Sequence, residues 1–89
     1  MSTELLLFTT KTCGPCKMFK PIVEETIRMF DDIDLVIVDA QENPEMAQGY
    51  GIQSVPFIIV KRGHATHKHN GAMGRSDLIT LLEAIQNDN

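Results

Sequence analysis

Cysteine, basic charge and long apolar runs are all scarce in this chain. Its 89 residues include two cysteines, Cys13 and Cys16, and no tryptophan. Two cysteines cannot build a multi-bridge framework, and a closed zinc site would have to recruit its other two ligands elsewhere. A bridge between them closes so short a loop that it would constrain the unfolded chain little, which argues against a structural staple. Lys and Arg number 8 against 12 Asp and Glu, for a formal net charge of −4, a balance that speaks against general nucleic-acid binding. The opening MSTELLLFTT lacks a basic n-region, and its apolar run from Leu5 to Phe8 is too short for a secretory leader or a membrane span. A cytoplasmic protein with no membrane or nucleic-acid partner is expected.

What is present suits one small domain spanning residues 1–89. A chain of this length buries only about 60 to 65% of the surface its unfolded form exposes, so a second domain would have no core. The hydrophobic fraction of 43% and charged fraction of 22% are those of an ordinary globular protein. Charge is unevenly spread. Residues 11 to 23 carry Lys11, Lys17 and Lys20 without an acid, whereas residues 24 to 45 hold eight acids against Arg28.

The order of elements follows from periodicity. Glu4 to Thr9 reads as a buried strand entering a turn at Gly14-Pro15, and from Cys16 the spacing of Phe19, Ile22 or Val23, Thr26 and Phe30 marks a helix that Pro21 should kink. The continuous run IDLVIV, 33 to 38, predicts a second strand in a sheet covered on both faces. Asn43-Pro44-Glu45 predicts a helix start that Gly49 and Gly51 bracket at its end. PFIIV, 56 to 60, predicts a third strand, turning at Arg62-Gly63 into a fourth at about 65 to 70. Leu78, Leu81, Leu82 and Ile85 close the chain with an amphipathic helix. The expected class is α/β in the order βαβαββα, a four-stranded mixed sheet flanked by three helices.

TTKTCGPCK, residues 9 to 17, sets the two cysteines at a strand-to-helix junction. There Cys13 would meet the unpaired amides and positive dipole end of a helix, which favour a thiolate. Cys16, three residues on, lies one turn into that helix within reach of the first sulfur. Gly14 leaves room for an approaching partner, and Pro15 fits the first turn, where its missing N–H costs nothing. A zinc half-site is the alternative, but only His64, His67 and His69 remain as ligands, about fifty residues away on a predicted hairpin without finger-like spacing. No metal is expected.

CGPCKMFKPIVEE, with its proline eight residues after the first cysteine, resembles the active-site helix of thioredoxins. The likeness runs on through DAQENPEMAQGYGIQSVPFIIV and NGAMGRSDL, from about residue 4 to 86. Only twelve residues precede Cys13, so the chain resembles a minimal thioredoxin fold without the extra strand and helix usual there. The resemblance implies that Pro56 is cis and faces the disulfide, that the Val55 backbone pairs with a bound substrate, and that Gly71-Ala72 forms a small-residue loop beside the cysteines. It also carries over departures. Thr12 stands where the family has tryptophan, Leu7 where it has a buried acid, and Leu35 where that acid's lysine partner is expected.

Glutaredoxins share this small architecture and a threonine before the cysteine. TTKTC and SVP are similar to them, whereas Lys11 lies one position from their glutathione-contacting basic residue and Gly-Pro replaces their Pro-Tyr. The resemblance to thioredoxins implies a monomeric protein-disulfide reductase with Cys13 as nucleophile, Cys16 as resolving thiol and no bound cofactor. Its substrates would be disulfide-containing proteins, its electrons coming from an NADPH-dependent thioredoxin reductase. The alternatives are a glutathione-dependent reductase or a binding subunit of a larger enzyme.

Overall fold

A computed structural model describes residues 2–87. Strand β1 (Thr3–Thr9) leads into helix α1 (Gly14–Ile27), followed by β2 (Ile33–Asp39), α2 (Pro44–Gly49), β3 (Phe57–Arg62), β4 (Ala65–Asn70) and α3 (Arg75–Asn87). The strands form one mixed sheet in the order β2-β1-β3-β4. β1 runs parallel to β2 and antiparallel to β3, and β4 runs antiparallel to β3.

β1 is the centre because its apolar run serves both faces at once. Alternate side chains of a strand point to opposite faces. Leu5 and Leu7 pack with Ile58 and Val60 of β3, Phe19 and Val23 of α1, and Leu78, Leu82 and Ile85 of α3. Leu6 and Phe8 pack on the other face with Val38, Ile59 and Ala47 of α2. Each such buried side chain contributes about 1.5 to 3 kcal/mol of transfer free energy, so the core centres on β1 and β3.

β2 forms where the sequence predicts a strand, but at the border of the sheet. It is an edge strand paired with β1, and Val36 and Ile37 remain 40% and 39% exposed. The sheet is covered on both faces as its apolar run predicts, Ile33 and Leu35 packing on the side of α1 and α3 and Val38 on that of α2, but at this edge only Val38 is fully buried. The hairpin turn also shifts by one residue. Arg62 still pairs with Ala65, leaving Gly63 and His64 as the connection, and Gly63 takes a positive φ of 59°. Type II′ hairpin turns require such a φ at their first central residue.

α1 runs through Pro21 as one helix. The carbonyl that a residue at position 21 would engage belongs to Lys17, which is exposed like Pro21 itself, so water can satisfy it. Ahead of α2, Asp39 Oδ1 accepts from the amides of Gln41 and Glu42 at 2.9 and 3.1 Å, while the Asn43 side chain donates back to the Asp39 carbonyl at 3.0 Å. Asn43 occupies the cap position as expected, but its side chain makes no capping bond.

Candidate functional site

The first turn of α1 brings the two sulfurs together. Cys13 and Cys16 form a disulfide with Cα atoms 5.3 Å apart, within the usual span for such a bond. Cys13 is the N-cap of α1, and its Sγ accepts the Cys16 amide at 3.1 Å. That donor is one of the four unpaired N–H groups at a helix start, where the dipole favours negative charge. Cys13 is half-buried, while Cys16 is 3% exposed on the inner face of the helix. The sequence places Pro15 in the first turn, and Gly14 and Pro15 are exposed beside the bridge.

A second segment closes on the bridge from the sheet. The Val55–Pro56 peptide is cis, and the Val55 carbonyl oxygen lies 3.7 Å from Cys13 Sγ. The Gly71 amide donates to the Pro56 carbonyl at 2.8 Å, and Gly71 has φ 95°, a conformation that favours glycine. Cys13, Cys16, Val55, Pro56 and Gly71 thus converge. Thr12 and Ala72 are exposed next to Cys13 and Gly71 in the chain; among the described residues no side-chain hydrogen bond ties either to the bridge.

Two features of the site were not read from the sequence. The Ser54 hydroxyl donates to Asn70 Oδ1 at 2.6 Å, tying the segment before Pro56 to the end of β4. A cleft of about 210 Å³, lined by Thr9, Thr10, Lys11, Cys16, Lys17, Lys20 and Asp39, opens beside the inner sulfur. The lysines were noted for their charge; Asp39 needed the strand register. Lys11 is itself paired with Glu42 at 2.9 Å, a hydrogen bond that raises its pKa, helped by the charges of Glu42 and Asp39.

The register also revises one apolar substitution. Leu7 is fully buried, and its neighbour on β2 is Ile37, whereas Leu35 lies beside Leu5. The side chain facing position 7 from β2 is therefore that of Ile37, not Leu35. The histidines stay apart from the cysteines on and before β4, and no group of three or more His, Cys, Asp or Glu among the described residues could hold a metal ion.

A cysteine pair bridged across the first turn of a helix, on a mixed sheet, defines a thiol–disulfide oxidoreductase. The thioredoxin family model matches residues 2–84, and the chain belongs to the thioredoxin family. It is 35% identical to Thioredoxin 1 of Synechococcus elongatus over 81 residues, covering 89% of this chain and 76% of that protein. It is likewise 35% identical to the thioredoxin of Staphylococcus epidermidis over 82 residues, covering 90% of this chain and 79% of the relative. A solved thioredoxin variant from Halobacterium salinarum matches with a TM-score of 0.83 at 28% identity, covering 93% of this chain and 74% of that one. Chloroplastic thioredoxin z, at a TM-score of 0.86 and 22% identity over 96% of this chain and 79% of that chain, shares the fold. Thioredoxins need no bound cofactor, and membership implies disulfide-bearing protein substrates and a reductase partner.

Proposed function

We propose that the chain acts as a single-domain, monomeric, cytoplasmic reductant of protein disulfides, with Cys13 as the attacking thiol and Cys16 as the resolving one. The observation that carries this assignment is the asymmetry of the pair. Cys13 Sγ accepts a helix N-terminal amide at 3.1 Å and is partly accessible, whereas Cys16 is 3% exposed. A thiolate so placed attacks a substrate sulfur, giving a mixed disulfide; the Cys16 thiolate then attacks Cys13 Sγ and releases the substrate thiol.

The wall of Val55, Pro56, Gly71 and Ala72 would receive the substrate chain, Val55 offering its backbone and Gly71 and Ala72 little steric hindrance. Thr12 makes the opposite rim polar. Electrons would come from an NADPH-dependent thioredoxin reductase. The cationic cleft beside Cys16 favours a second reading in which anionic glutathione is the donor.

An insulin-reduction assay separates the two. The reading expects turnover with NADPH and thioredoxin reductase, and little with glutathione and glutathione reductase. Cys16→Ser should accumulate a covalent complex with insulin that dithiothreitol dissolves, and Cys13→Ser should form none. Trapping by Cys13→Ser instead would reverse the two roles, and turnover restricted to glutathione would replace the reductase.

A further inference from the structure

The resolving step needs a proton acceptor. A thiol attacks as its thiolate, yet Cys16 is 3% exposed and the other buried residues, apolar but for Thr3 and Thr26, include no titratable group among those described. Burial in apolar surroundings holds a proton on sulfur. A polar opening that Cys16 itself lines offers that proton a way out: the cleft bounded by Thr9, Thr10, Lys11, Lys17, Lys20 and Asp39.

Asp39 is the carboxylate in that lining. β2 pairs with β1 so that Asp39 stands opposite Thr9, one same-face step beyond the apolar pair of Ile37 and Leu7. The strand's period of two puts Asp39 on the face of Ile33 and Leu35, which pack against the cluster containing Phe19 and Val23 of α1. Its Oδ1 is engaged by the Gln41 and Glu42 amides. Among the described residues no hydrogen bond engages Oδ2. The cleft, at about 210 Å³, has room for several waters, each occupying about 30 Å³ in the liquid.

We propose that Asp39 receives the Cys16 proton through water in this cleft as Cys16 resolves the mixed disulfide. The inference rests on the dithiol reading above. The Cys16 S–H proton passes to water, and a water proton passes to Asp39 Oδ2. The Cys16 thiolate then bonds to Cys13 Sγ as the bond from Cys13 Sγ to the substrate sulfur breaks. The departing substrate thiolate takes a proton from solvent, Asp39 returns its own to the cleft, and the two electrons of the dithiol have moved to the substrate.

The other charges around the cleft set the field in which this happens. Lys17 and Lys20 project from α1, Lys11 from the loop before it, and Glu42 neutralises Lys11 at 2.9 Å. The lysines favour the Cys16 thiolate, while ionised Asp39 opposes it. Removing the Asp39 charge thus has opposite consequences under two roles. Loss of a proton acceptor slows resolution near neutral pH, whereas loss of mere repulsion speeds it.

The test is stopped-flow reduction of 5,5′-dithiobis(2-nitrobenzoate) by the full chain. The first nitrothiobenzoate release, from attack by Cys13, depends on reagent concentration; the second, from attack by Cys16, does not. In Asp39→Asn, which keeps an Oδ1 acceptor for the Gln41 and Glu42 amides, the second release should slow about tenfold at pH 7, below the usual range for a positioned base. The gap should narrow as pH rises above about 8.5, the ordinary thiol value from which burial displaces Cys16 upward, because hydroxide then removes the proton without a protein base. The first release is the internal control, and Asp39→Glu should restore part of the second. Asp39→Ser supplies another neutral variant if Asn disturbs folding. A second release that is unchanged, faster, or slowed equally at every pH overturns the proposal. Cys16→Ser must give only the first release; if it gives both, the dithiol reading itself fails, whatever Asp39 does.

Discussion

Position 7 shows how one side chain separates this chain from the pattern its sequence resembles. Leu7 is fully buried among Leu5, Ile58, Phe19 and Val23, and the β2 residue beside it is Ile37. A leucine there needs no counter-charge, and replacing buried ion pairs by packed apolar residues is often neutral or stabilising. Restoring an acid alone is a different matter. Leu7→Asp should cost about 3 to 5 kcal/mol at neutral pH, because its carboxylate would be buried without a partner. Burial raises such a carboxyl's pKa, so the folded state keeps the proton longer than the unfolded chain does. The penalty must then grow as pH rises above the unfolded value of about 3.9 and shrink toward it. Urea unfolding at pH 7 and pH 4 checks both the size and the slope; equal midpoints for variant and parent at pH 7 would mean that position 7 tolerates the charge.

At the scale of elements, the hairpin between β3 and β4 holds its two strands in register through Gly63. Its φ of 59° lies in the left-handed region, which costs an ordinary side chain roughly 1 to 2 kcal/mol. Gly63→Ala should lower stability by about that amount, and Gly63→Asn by less, since asparagine enters this region more readily; a thermal melt compares them. The sequence made this hairpin legible but misplaced its turn by one residue, because the pairing of Arg62 with Ala65 depends on the register of two strands and not on composition. The same limit explains β2. Its apolar run identified a strand correctly, yet no pattern within Ile33–Asp39 says that one side has no neighbour, and Val36 and Ile37 are left partly exposed. Asp34 and Asp39 on that edge are charges of the kind that discourage further strand pairing. The cysteines were legible because their chemistry lies in local spacing, and Val55, Pro56 and Gly71 because resemblance supplied them. Asp39 was not, since its face is fixed by pairing with Thr9 on another strand.

At the scale of the whole molecule, one polar junction ties together parts far apart in sequence at the end of the sheet opposite the cysteines. Arg62, closing β3, donates to the hydroxyl of buried Thr3 at 2.8 Å and to Asp32 Oδ2 at 3.0 Å, and the Gln86 side chain of α3 also donates to Asp32. The Thr3 amide donates to the Asp32 main-chain carbonyl at 2.9 Å, so the lead-in to β2, the start of β1, the end of β3 and the last helix meet at one residue. The hydrogen bond from Arg62 lowers the pKa of Asp32, aided by the Arg62 charge and by Gln86, against a smaller opposing effect of desolvation. A carboxyl whose pKa is lower folded than unfolded adds stability above the unfolded value, about 3.9, and loses it as pH falls through the folded value. Asp32→Asn removes that contribution at every pH. Its stability deficit relative to the parent should be constant from pH 7 to about 5 and should diminish below pH 4 as the parent's own carboxylate is protonated. Because the Asp32 side chain is 43% exposed, salt should also reduce the neutral-pH deficit by screening the pair. Urea denaturation across pH 2.5 to 7, at low and high salt, measures both trends. A deficit that persists undiminished at the acid end would show that the Asp32 side chain acts there through its shape and neutral hydrogen bonds, with its charge contributing nothing to the junction.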